Sequence, residues 1–504
     1  MLEDEKNESD APPEGDLRTT TTRNVAWSMF SLFGSRVLTL AGTAVLARHL
    51  EPSDFGVVGL VGIVTGLVTL IGNFGLGAAI IYRKDVDEGH LATSYWFNVA
   101  VGIVLTVITI AFAGTAAGYF HNETVRPVAY WLSLNFLINS LSWAHGCMLT
   151  KNLRFRALAI IRVSSVVIRG ITAILLAVVF DFGLWALVAA DLAMNTFASF
   201  GRLAAYRWRP PLTFSVVKFR QLFRYGINLT GSSILGYFAS NIDYILIGRL
   251  LDSTQLGFYQ FSYSVPHMVQ HGFTMSLTRV LFPVFCKVQD DNARFGRGYV
   301  RTLRVITLLA FPALIGLAVI GAPFVRVVYG ARWEPVILPM QILCFSAIAR
   351  SMMAANGPVL NAKGRPDVGF YWSGAHLVLT AATVWFLARY GVIGIAAGMT
   401  LSAYYSAIPA YIATRMIRLP FRRWIAAAGP AALCTVIMSA LVFSIRRWML
   451  LPAGASDPAQ LLILAPLGAG VYALLFRFLF PADWRDLFEL ARSSFLSGRR
   501  KESR

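Results

Sequence analysis

Long apolar stretches separated by short polar segments follow one another along almost the whole chain. A helix needs about 20 consecutive, mostly apolar residues to cross the roughly 30 Å hydrocarbon core of a bilayer. These windows predict an all-α integral membrane protein with about fourteen spans. We place the spans near residues 24–47, 55–81, 92–115, 128–149, 158–180, 184–206, 226–248, 257–284, 306–327, 336–359, 368–388, 392–414, 424–445 and 461–480.

Two polar hairpins mark a possible internal repeat. The segment between the first two predicted spans is LARHLEPSDFG (46–56), and the one between the seventh and eighth is IGRLLDSTQLG (247–257). When they are aligned, Arg48 and Gly56 fall on Arg249 and Gly257. Parallel repeats with the substrate site between the halves are one recurring transporter plan. Two unrelated, glycine-bounded helical hairpins would give the same pattern, so this alternative stays open.

The repeat predicts the domain organisation of the chain. The acidic first residues lack an apolar core, which is typical of a disordered tail and not of a cleaved signal peptide. We expect a tail over 1–23, an N-lobe of six spans over 24–207, a linker over 208–225, a C-lobe of six spans over 226–414, two further spans within 415–480 and a basic tail over 481–504.

The distribution of positive charge orients the chain. An even number of spans puts both termini on one side, and most of the 45 lysines and arginines fall in loops on that side. The opposite loops contain only Arg48, Arg126, Arg249, Arg332, Arg389, Arg446 and Arg447. The positive-inside rule therefore places both termini in the cytoplasm. Because the formal net charge of +19 is divided among short loops, it does not indicate nucleic-acid binding.

Two hairpins and one turn resemble a known family of membrane transporters. The segments LARHLEPSDFGVVGL (46–60), IGRLLDSTQLGFYQFSYSVP (247–266) and LNAKGRPD (360–367) are similar to the polysaccharide-exporter branch of the multidrug/oligosaccharidyl-lipid/polysaccharide flippases. Within that branch, the chain looks most like bacterial O-antigen, colanic-acid and exopolysaccharide repeat-unit translocases. The similarity covers roughly residues 22–480.

The resemblance implies a fold and a function. The expected fold is a V-shaped pair of six-helix lobes around a central cavity. The expected function is flipping of an undecaprenyl-pyrophosphate-linked oligosaccharide from the cytoplasmic to the periplasmic leaflet of the bacterial inner membrane. Polysaccharide polymerase and export machinery are further expected partners. The resemblance supplies no catalytic motif, so a transporter without cofactor or metal is expected, and the site residues below rest on physical arguments.

Charged residues inside the predicted spans are the candidate substrate contacts. An arginine at mid-bilayer costs roughly 2.5–3.5 kcal/mol on insertion scales, so it must snorkel, pair or line a wet cavity. Arg36, Arg169 and Arg350 lie near the midplane, where snorkelling is difficult, and can bind a pyrophosphate through their planar donor fork. Ser35 and Thr39 extend a polar stripe beside Arg36. A buried ion pair, or close helix packing by the small residues, remains the structural alternative.

Acidic residues and histidines are the candidates for coupling or for ion pairs. Asp191 and Asp243 bring negative charge into the spans, and each can pair with an arginine. His267 and His271 lie one helical turn apart and could titrate in a proton-coupled cycle, although neutral, hydrogen-bonded histidines are commoner. No third ligand accompanies them, so no metal site is expected.

Three rival functions make different demands on the sequence. A cation-coupled drug exporter should carry more buried carboxylates than arginines, whereas here arginine prevails. A flippase for the peptidoglycan precursor also handles an anion, so it remains open. A membrane glycosyltransferase or polymerase would need catalytic carboxylates and a large external loop, and the longest external loop predicted is 446–460.

Overall fold

The computed structural model describes residues 17–72, 76–82, 85–452, 454–481 and 484–485. Over these residues the chain is helical and contains no β-strand, so the predicted all-α fold class is confirmed there. The chain divides into two compact units, Met1–Tyr237 and Phe238–Arg504. The finer lobe and linker boundaries expected from the repeat stay a prediction.

The first unit contains seven helices and the beginning of an eighth. They are α1 (Leu17–Ala47), α2 (Pro52–Gly72), α3 (Leu76–Tyr82), α4 (Glu88–Tyr119), α5 (Val125–Lys151), α6 (Phe155–Ile174), α7 (Leu184–Ala205) and the first part of α8 (Val216–Leu250). A π-helical turn, Leu175–Val179, extends α6. Because α1 begins at Leu17, part of the tail predicted to be disordered is helical, whereas residues 1–16 lie outside the described residues.

The second unit contains the rest of α8 and eleven further helices. They are α9 (Ser253–Lys287), α10 (Asn292–Val319), α11 (Gly321–Val328), α12 (Ile337–Met353), α13 (Asn356–Ala362), α14 (Pro366–Leu387), α15 (Gly391–Tyr405), α16 (Ala407–Met416), α17 (Phe421–Ala426), α18 (Gly429–Ile445) and α19 (Asp457–Leu479). The basic tail predicted beyond residue 485 lies outside the described residues.

Each predicted span falls on one or more of these helices. Nine helical stretches of described residues are long and apolar enough to cross a membrane, at Pro52–Leu70, Glu88–Tyr119, Phe155–Val179, Leu184–Ala205, Asn292–Val319, Ala331–Ala362, Asp367–Met416, Phe421–Leu450 and Asp457–Leu479. The stretch Asp367–Met416 is long enough for two of the predicted spans. The spans predicted at 24–47, 128–149, 226–248 and 257–284 lie on α1, α5, α8 and α9, which are helical but are not among these nine stretches.

The two repeat hairpins begin their second helices with side-chain caps. Before α2, the backbone N–H of Glu51 donates to the carboxylate of Asp54 at 3.0 Å. Before α9, the carboxylate of Asp252 accepts from the backbone N–H of Gln255 at 2.7 Å. Both caps satisfy N–H groups that a helix start leaves without an intrahelical partner. The acidic residues in these motifs therefore have a local structural role.

The second unit has two apolar cores along α10. One core, near the N-terminal part of α10, buries Phe285, Phe295, Tyr299 and Trp424. The other packs Leu308 against Met438 of α18 and against Tyr472 and Phe476 of α19. The hydroxyl of Tyr472 donates to the carbonyl of Leu308 at 2.9 Å, so α19 is fixed against α10 by a buried hydrogen bond as well as by packing.

The loop predicted to be the longest on the external side is partly helical. Arg446–Leu450 forms a π-helical turn that continues α18, and α19 already begins at Asp457. Arg446 donates to Gln460 at 3.2 Å and to the carbonyl of Val319 at 3.1 Å, so the turn is held against its neighbours. Little irregular backbone is left there to hold a sugar chain.

Candidate functional site

A ladder of four ring side chains runs along one face of α9. Tyr259, Tyr263, His267 and His271 are spaced by four residues, so they project from successive helical turns. Tyr263 stacks on His267 with ring centroids 5.0 Å apart, and His267 lies 4.3 Å from His271. The rings of Tyr259 and Tyr263 also stack, with centroids 6.1 Å apart. The ladder therefore carries polar groups along about four turns of α9 in the second unit.

Asp243 on α8 is attached to one end of this ladder. Its side chain is fully buried, and one carboxylate oxygen accepts a 2.6 Å hydrogen bond from the hydroxyl of Tyr259. No described residue donates to the other oxygen. An acceptor left without a donor in an apolar interior costs roughly 1–3 kcal/mol, and more if it is charged. This oxygen is therefore the strongest unsatisfied acceptor of the cluster and is available to a proton or a cation.

Arg350 on α12 contacts the middle of the same ladder. Its guanidinium donates to the hydroxyl of Tyr263 at 3.2 Å, and its Cζ lies 5.8 Å from the centre of that ring. The charges of Arg350 and Asp243 act on each other. The two stacked tyrosines thus connect a partly buried cation to a buried anion. Because such hydrogen-bonded networks gain strength in a low dielectric, loss of one member weakens the others.

A small cavity lies beside this cluster within the second unit. Its wall includes Tyr263, His267, Gln270 and Arg350. The side chain of Gln270 is held toward Thr274, to which its amide donates at 3.2 Å. The cavity wall thus combines a guanidinium, an imidazole and a phenol hydroxyl, groups that suit proton or ion exchange better than binding of a large ligand.

The first unit contains a second polar network, centred on an ion pair. The Nε of Arg169 on α6 lies 2.5 Å from a carboxylate oxygen of Asp191 on α7. The network continues through Asn195, which donates to the carbonyl of Asp191, and through Asn139 of α5, which donates to Asn195 at 3.1 Å. The side chains of Arg169 and Asp191 are each partly exposed.

Arg36 is half-buried on α1, and none of the described carboxylates pairs with it. Its polar neighbours bond to their own helix: Ser35 donates to the carbonyl of Leu32 at 3.1 Å, and Thr39 donates to the carbonyl of Ser35 at 2.8 Å. Such back-bonding satisfies the hydroxyls inside an apolar helix. Arg36 is consequently the midplane arginine whose charge is least compensated by described residues.

The predicted site residues belong to three groups, two in the first unit and one in the second. Arg36, Ser35 and Thr39 lie on α1, the Arg169–Asp191 pair links α6 to α7, and Arg350, Asp243, His267 and His271 form one cluster in the second unit. A shared substrate site for all three arginines stays a prediction.

Sequence reasoning missed the residues that connect these charges. Tyr259, Tyr263, Asn139 and Asn195 are not among the candidates that the sequence indicates. The spacing of the ring residues could have indicated the two tyrosines, because Tyr259, Tyr263, His267 and His271 are four residues apart and share one helical face. Nothing in the sequence placed Asp243 next to that face, since the contact joins two helices.

Comparison with known proteins identifies the family. The family model described as polysaccharide biosynthesis protein matches residues 45–338. The lipopolysaccharide biosynthesis protein WzxC of Escherichia coli (strain K12) is 30% identical over 358 residues, which make up 70% of this chain and 72% of that protein. The succinoglycan biosynthesis transport protein ExoT of Rhizobium meliloti (strain 1021) is 25% identical over 494 residues, which make up 94% of this chain and 96% of that protein.

A solved structure supports the fold. The lipid II flippase MurJ, in an inward closed conformation, superposes with a TM-score of 0.72 at 13% identity, covering 92% of this chain and 100% of that chain. At this identity the likeness concerns the fold alone. The match of the family model and the similarity to WzxC confirm the family indicated by the hairpin motifs: the chain belongs to the polysaccharide biosynthesis proteins of the flippase superfamily.

Proposed function

We propose that this multi-pass membrane protein flips polyprenyl-pyrophosphate-linked oligosaccharide repeat units from the cytoplasmic to the periplasmic leaflet of a bacterial inner membrane, for surface or exopolysaccharide assembly. Family membership carries the proposal, because the matched region spans both repeat hairpins and includes Arg169, Asp191, Asp243 and the ladder on α9. The names of the relatives, a lipopolysaccharide biosynthesis protein and a succinoglycan transport protein, agree with it. Transport by alternating access needs no catalytic group.

The three arginines receive different roles in this proposal. Arg36, whose charge is not paired with a described carboxylate, is the strongest candidate for a pyrophosphate contact. Arg169 is held by Asp191, so it would bind the substrate only through its remaining donors or after the pair opens. Arg350 lies in the tyrosine-bridged cluster, where it balances Asp243.

The cluster on α9 is proposed to couple the transport cycle. Asp243 has an unfilled acceptor, and His267 and His271 lie in the same ladder. Binding of a proton or another cation there would change the charge that Arg350 faces and would favour a different packing of α8, α9 and α12. The proton or cation can drive the cycle only if it binds the two conformations with different affinities.

A second candidate function is transport of the peptidoglycan precursor. The fold likeness to the lipid II flippase motivates it, and both cargoes are anionic lipids. The relatives with sequence similarity point instead to polysaccharide assembly. A drug exporter with the same general fold is disfavoured by the excess of arginine over carboxylate within the predicted spans.

Deletion of the gene in its host distinguishes these functions. We expect loss of the polysaccharide and accumulation of complete lipid-linked repeat units on the cytoplasmic face, with cell-wall synthesis unchanged. Complementation should succeed with the wild-type gene and with Arg389→Ala, a predicted external residue. Complementation should fail with Arg36→Ala at equal protein level. Normal polysaccharide together with sensitivity to cationic drugs, or with arrested cell-wall synthesis, would contradict the proposal.

A further inference from the structure

A second cavity, of about 830 Å³, lies within the second unit, away from the tyrosine ladder. It is bounded by the first half of α10, by the turn between α16 and α17, by the start of α18 and by Phe476 near the end of α19. Its volume falls within the range of small-molecule sites in proteins. The proposed transport mechanism uses none of the residues that line it.

The cavity is strongly basic at one end. Three arginines of α10 share one helical face because they are spaced by four and three residues, and two more come from the α16–α17 turn and from α17: Arg297, Arg301, Arg304, Arg418 and Arg423. None of the described residues that line the cavity is acidic. The arginines of α10 lie at the end of the helix that belongs to the predicted cytoplasmic side. Guanidinium groups clustered in this way are suited to phosphate oxygens.

The opposite end of the cavity is apolar. Leu308 of α10, Ala431 of α18 and Phe476 of α19 form this part, and the hydrogen bond from Tyr472 to the carbonyl of Leu308 holds α19 in place one turn away. A soluble anion bound to the arginines would leave the apolar end of the cavity filled only with water. A phosphate attached to a hydrocarbon chain would match both ends.

The backbone at Arg418 is a second, independent observation. Arg418 has φ 55°, a left-handed conformation that glycine usually supplies at the end of a helix. The backbone N–H of Arg418 bonds to the carbonyl of Arg415, and that of Leu419 bonds to the carbonyl of Thr414, which is the pattern of a glycine-type helix end. A side chain at this position is disfavoured sterically. Arginine here therefore puts a guanidinium at the cavity at the expense of local stability.

The fold also selects which arginines face the cavity. Trp424 is buried in the adjacent core and stacks on Phe421 at 5.3 Å, which fixes the rotation of α17. Arg423 then lines the cavity, whereas Arg422, its neighbour in sequence, does not. On α10, Arg297 lines the cavity and Arg294 does not. These neighbours provide matched controls.

We propose that this cavity binds an anionic membrane lipid, one whose headgroup phosphate is not neutralised by a cation of its own, with the phosphate among the five arginines and the start of the hydrocarbon chain against Leu308 and Phe476. Basic pockets between membrane helices on the cytoplasmic side are known to take anionic headgroups. The bound phosphate ties α17 and the α16–α17 turn to α10. This site is separate from transport, so it does not depend on the proposed function.

Native mass spectrometry of the purified full-length protein tests the proposal. The probes are phosphatidylglycerol, phosphatidylcholine with the same acyl chains, undecaprenyl phosphate and inorganic pyrophosphate. We expect the wild type to retain an anionic lipid in preference to phosphatidylcholine. Whichever of phosphatidylglycerol and undecaprenyl phosphate binds more tightly identifies the source of the headgroup. Equal retention of phosphatidylcholine, or displacement of the lipid by pyrophosphate at the same concentration, would overturn it.

Variants assign the binding to this cavity. The triple variant Arg297→Gln/Arg301→Gln/Arg423→Gln should weaken anionic-lipid binding roughly tenfold or more, because each basic group near a headgroup contributes severalfold in affinity. The control Arg294→Gln/Arg422→Gln should bind as the wild type does. Arg418→Gly should weaken lipid binding yet raise the unfolding temperature in lipid-free detergent, since it removes a guanidinium and a strained backbone together. Equal losses in the triple variant and the control would refute the site.

Discussion

At the scale of single residues, the membrane-buried charges are held by uncharged hydrogen-bonding partners as much as by each other. Tyr259 donates to Asp243, Tyr263 accepts from Arg350, and Asn195 bonds to the backbone of Asp191. Such partners offset part of the free energy that a charge loses when it is removed from water. Without them, hydrophobic residues at these positions would be more stable. Each bridge therefore has a measurable effect on stability that is separate from any effect on transport.

The bond between Tyr259 and Asp243 gives the first prediction. Tyr259→Phe removes the described donor to a fully buried carboxylate and should lower the free energy of unfolding by about 1–3 kcal/mol. Tyr244→Phe is the control, because the ring of Tyr244 packs edge-on against Tyr259 with centroids 5.5 Å apart, and its hydroxyl makes no hydrogen bond to Asp243. Thermal unfolding of both purified variants measures the difference. Equal unfolding temperatures would show that the hydrogen bond contributes nothing.

A double-mutant cycle on Arg169 and Asp191 separates an ion pair from a substrate contact. Arg169→Ala or Asp191→Ala alone leaves one charge uncompensated and should cost about 1–3 kcal/mol, less than a fully buried pair because both side chains are partly exposed. If the pair is structural, the double variant recovers both stability and polysaccharide export. Recovered stability without export would assign Arg169 to the substrate instead.

At the scale of helices, the sequence predicted that the helices exist better than it predicted where they begin and end and which helices contact one another. Each apolar window coincides with one or more helices. The reason is that the thickness of the bilayer sets the length of apolar sequence that a spanning helix needs, about 20 residues. The windows missed that α1 begins at Leu17 and that Arg446–Leu450 continues α18, since polar residues extend helices beyond the apolar core. Contacts between helices, such as Asp243 with Tyr259, have no periodic signature and were not predictable.

The start of α4 gives a pH-dependent prediction at this scale. Asp87 caps α4 by accepting from the backbone N–H of His90 at 2.8 Å, and it also contacts the ammonium of Lys218 on α8. Lys218, followed by the backbone N–H of His90, lowers the pKa of Asp87 well below its ordinary value of 3.8. A lowered folded-state pKa means that the stabilisation is complete above that ordinary value and is lost as the pH falls toward the folded-state pKa.

We therefore expect the contact between α4 and α8 to weaken only below about pH 4. Proton exchange at backbone amides of α4, measured by mass spectrometry between pH 3 and pH 6, should rise at the acid end in the wild type. Asp87→Asn keeps an acceptor for the cap but cannot titrate. After correction for the intrinsic pH dependence of amide exchange, the exchange of α4 in this variant should be faster than in the wild type at pH 6 and should not change between pH 3 and pH 6. An identical acid response in both proteins would exclude Asp87 as the cause.

At the scale of the whole molecule, topology links charge to function. Most of the 45 lysines and arginines lie in loops on one predicted side, and the five arginines of the basic cavity include three from α10 at that same end. Both the charge bias and the cavity are explained if this side faces the cytoplasm, where anionic lipid headgroups attract basic segments. The direction proposed for transport depends on the same orientation.

Cysteine accessibility tests this orientation directly. The native Cys147, Cys286, Cys344 and Cys434 are first replaced by alanine, and single cysteines are then introduced as Ser456→Cys or Thr213→Cys, two exposed positions in short loops. Ser456 precedes α19 without a side-chain cap bond, so its replacement costs little. A membrane-impermeant maleimide should label Ser456→Cys in intact spheroplasts and Thr213→Cys only after permeabilisation. The reverse pattern would invert the chain, place the basic cavity at the periplasmic face and remove the charge argument for loading from the cytoplasm.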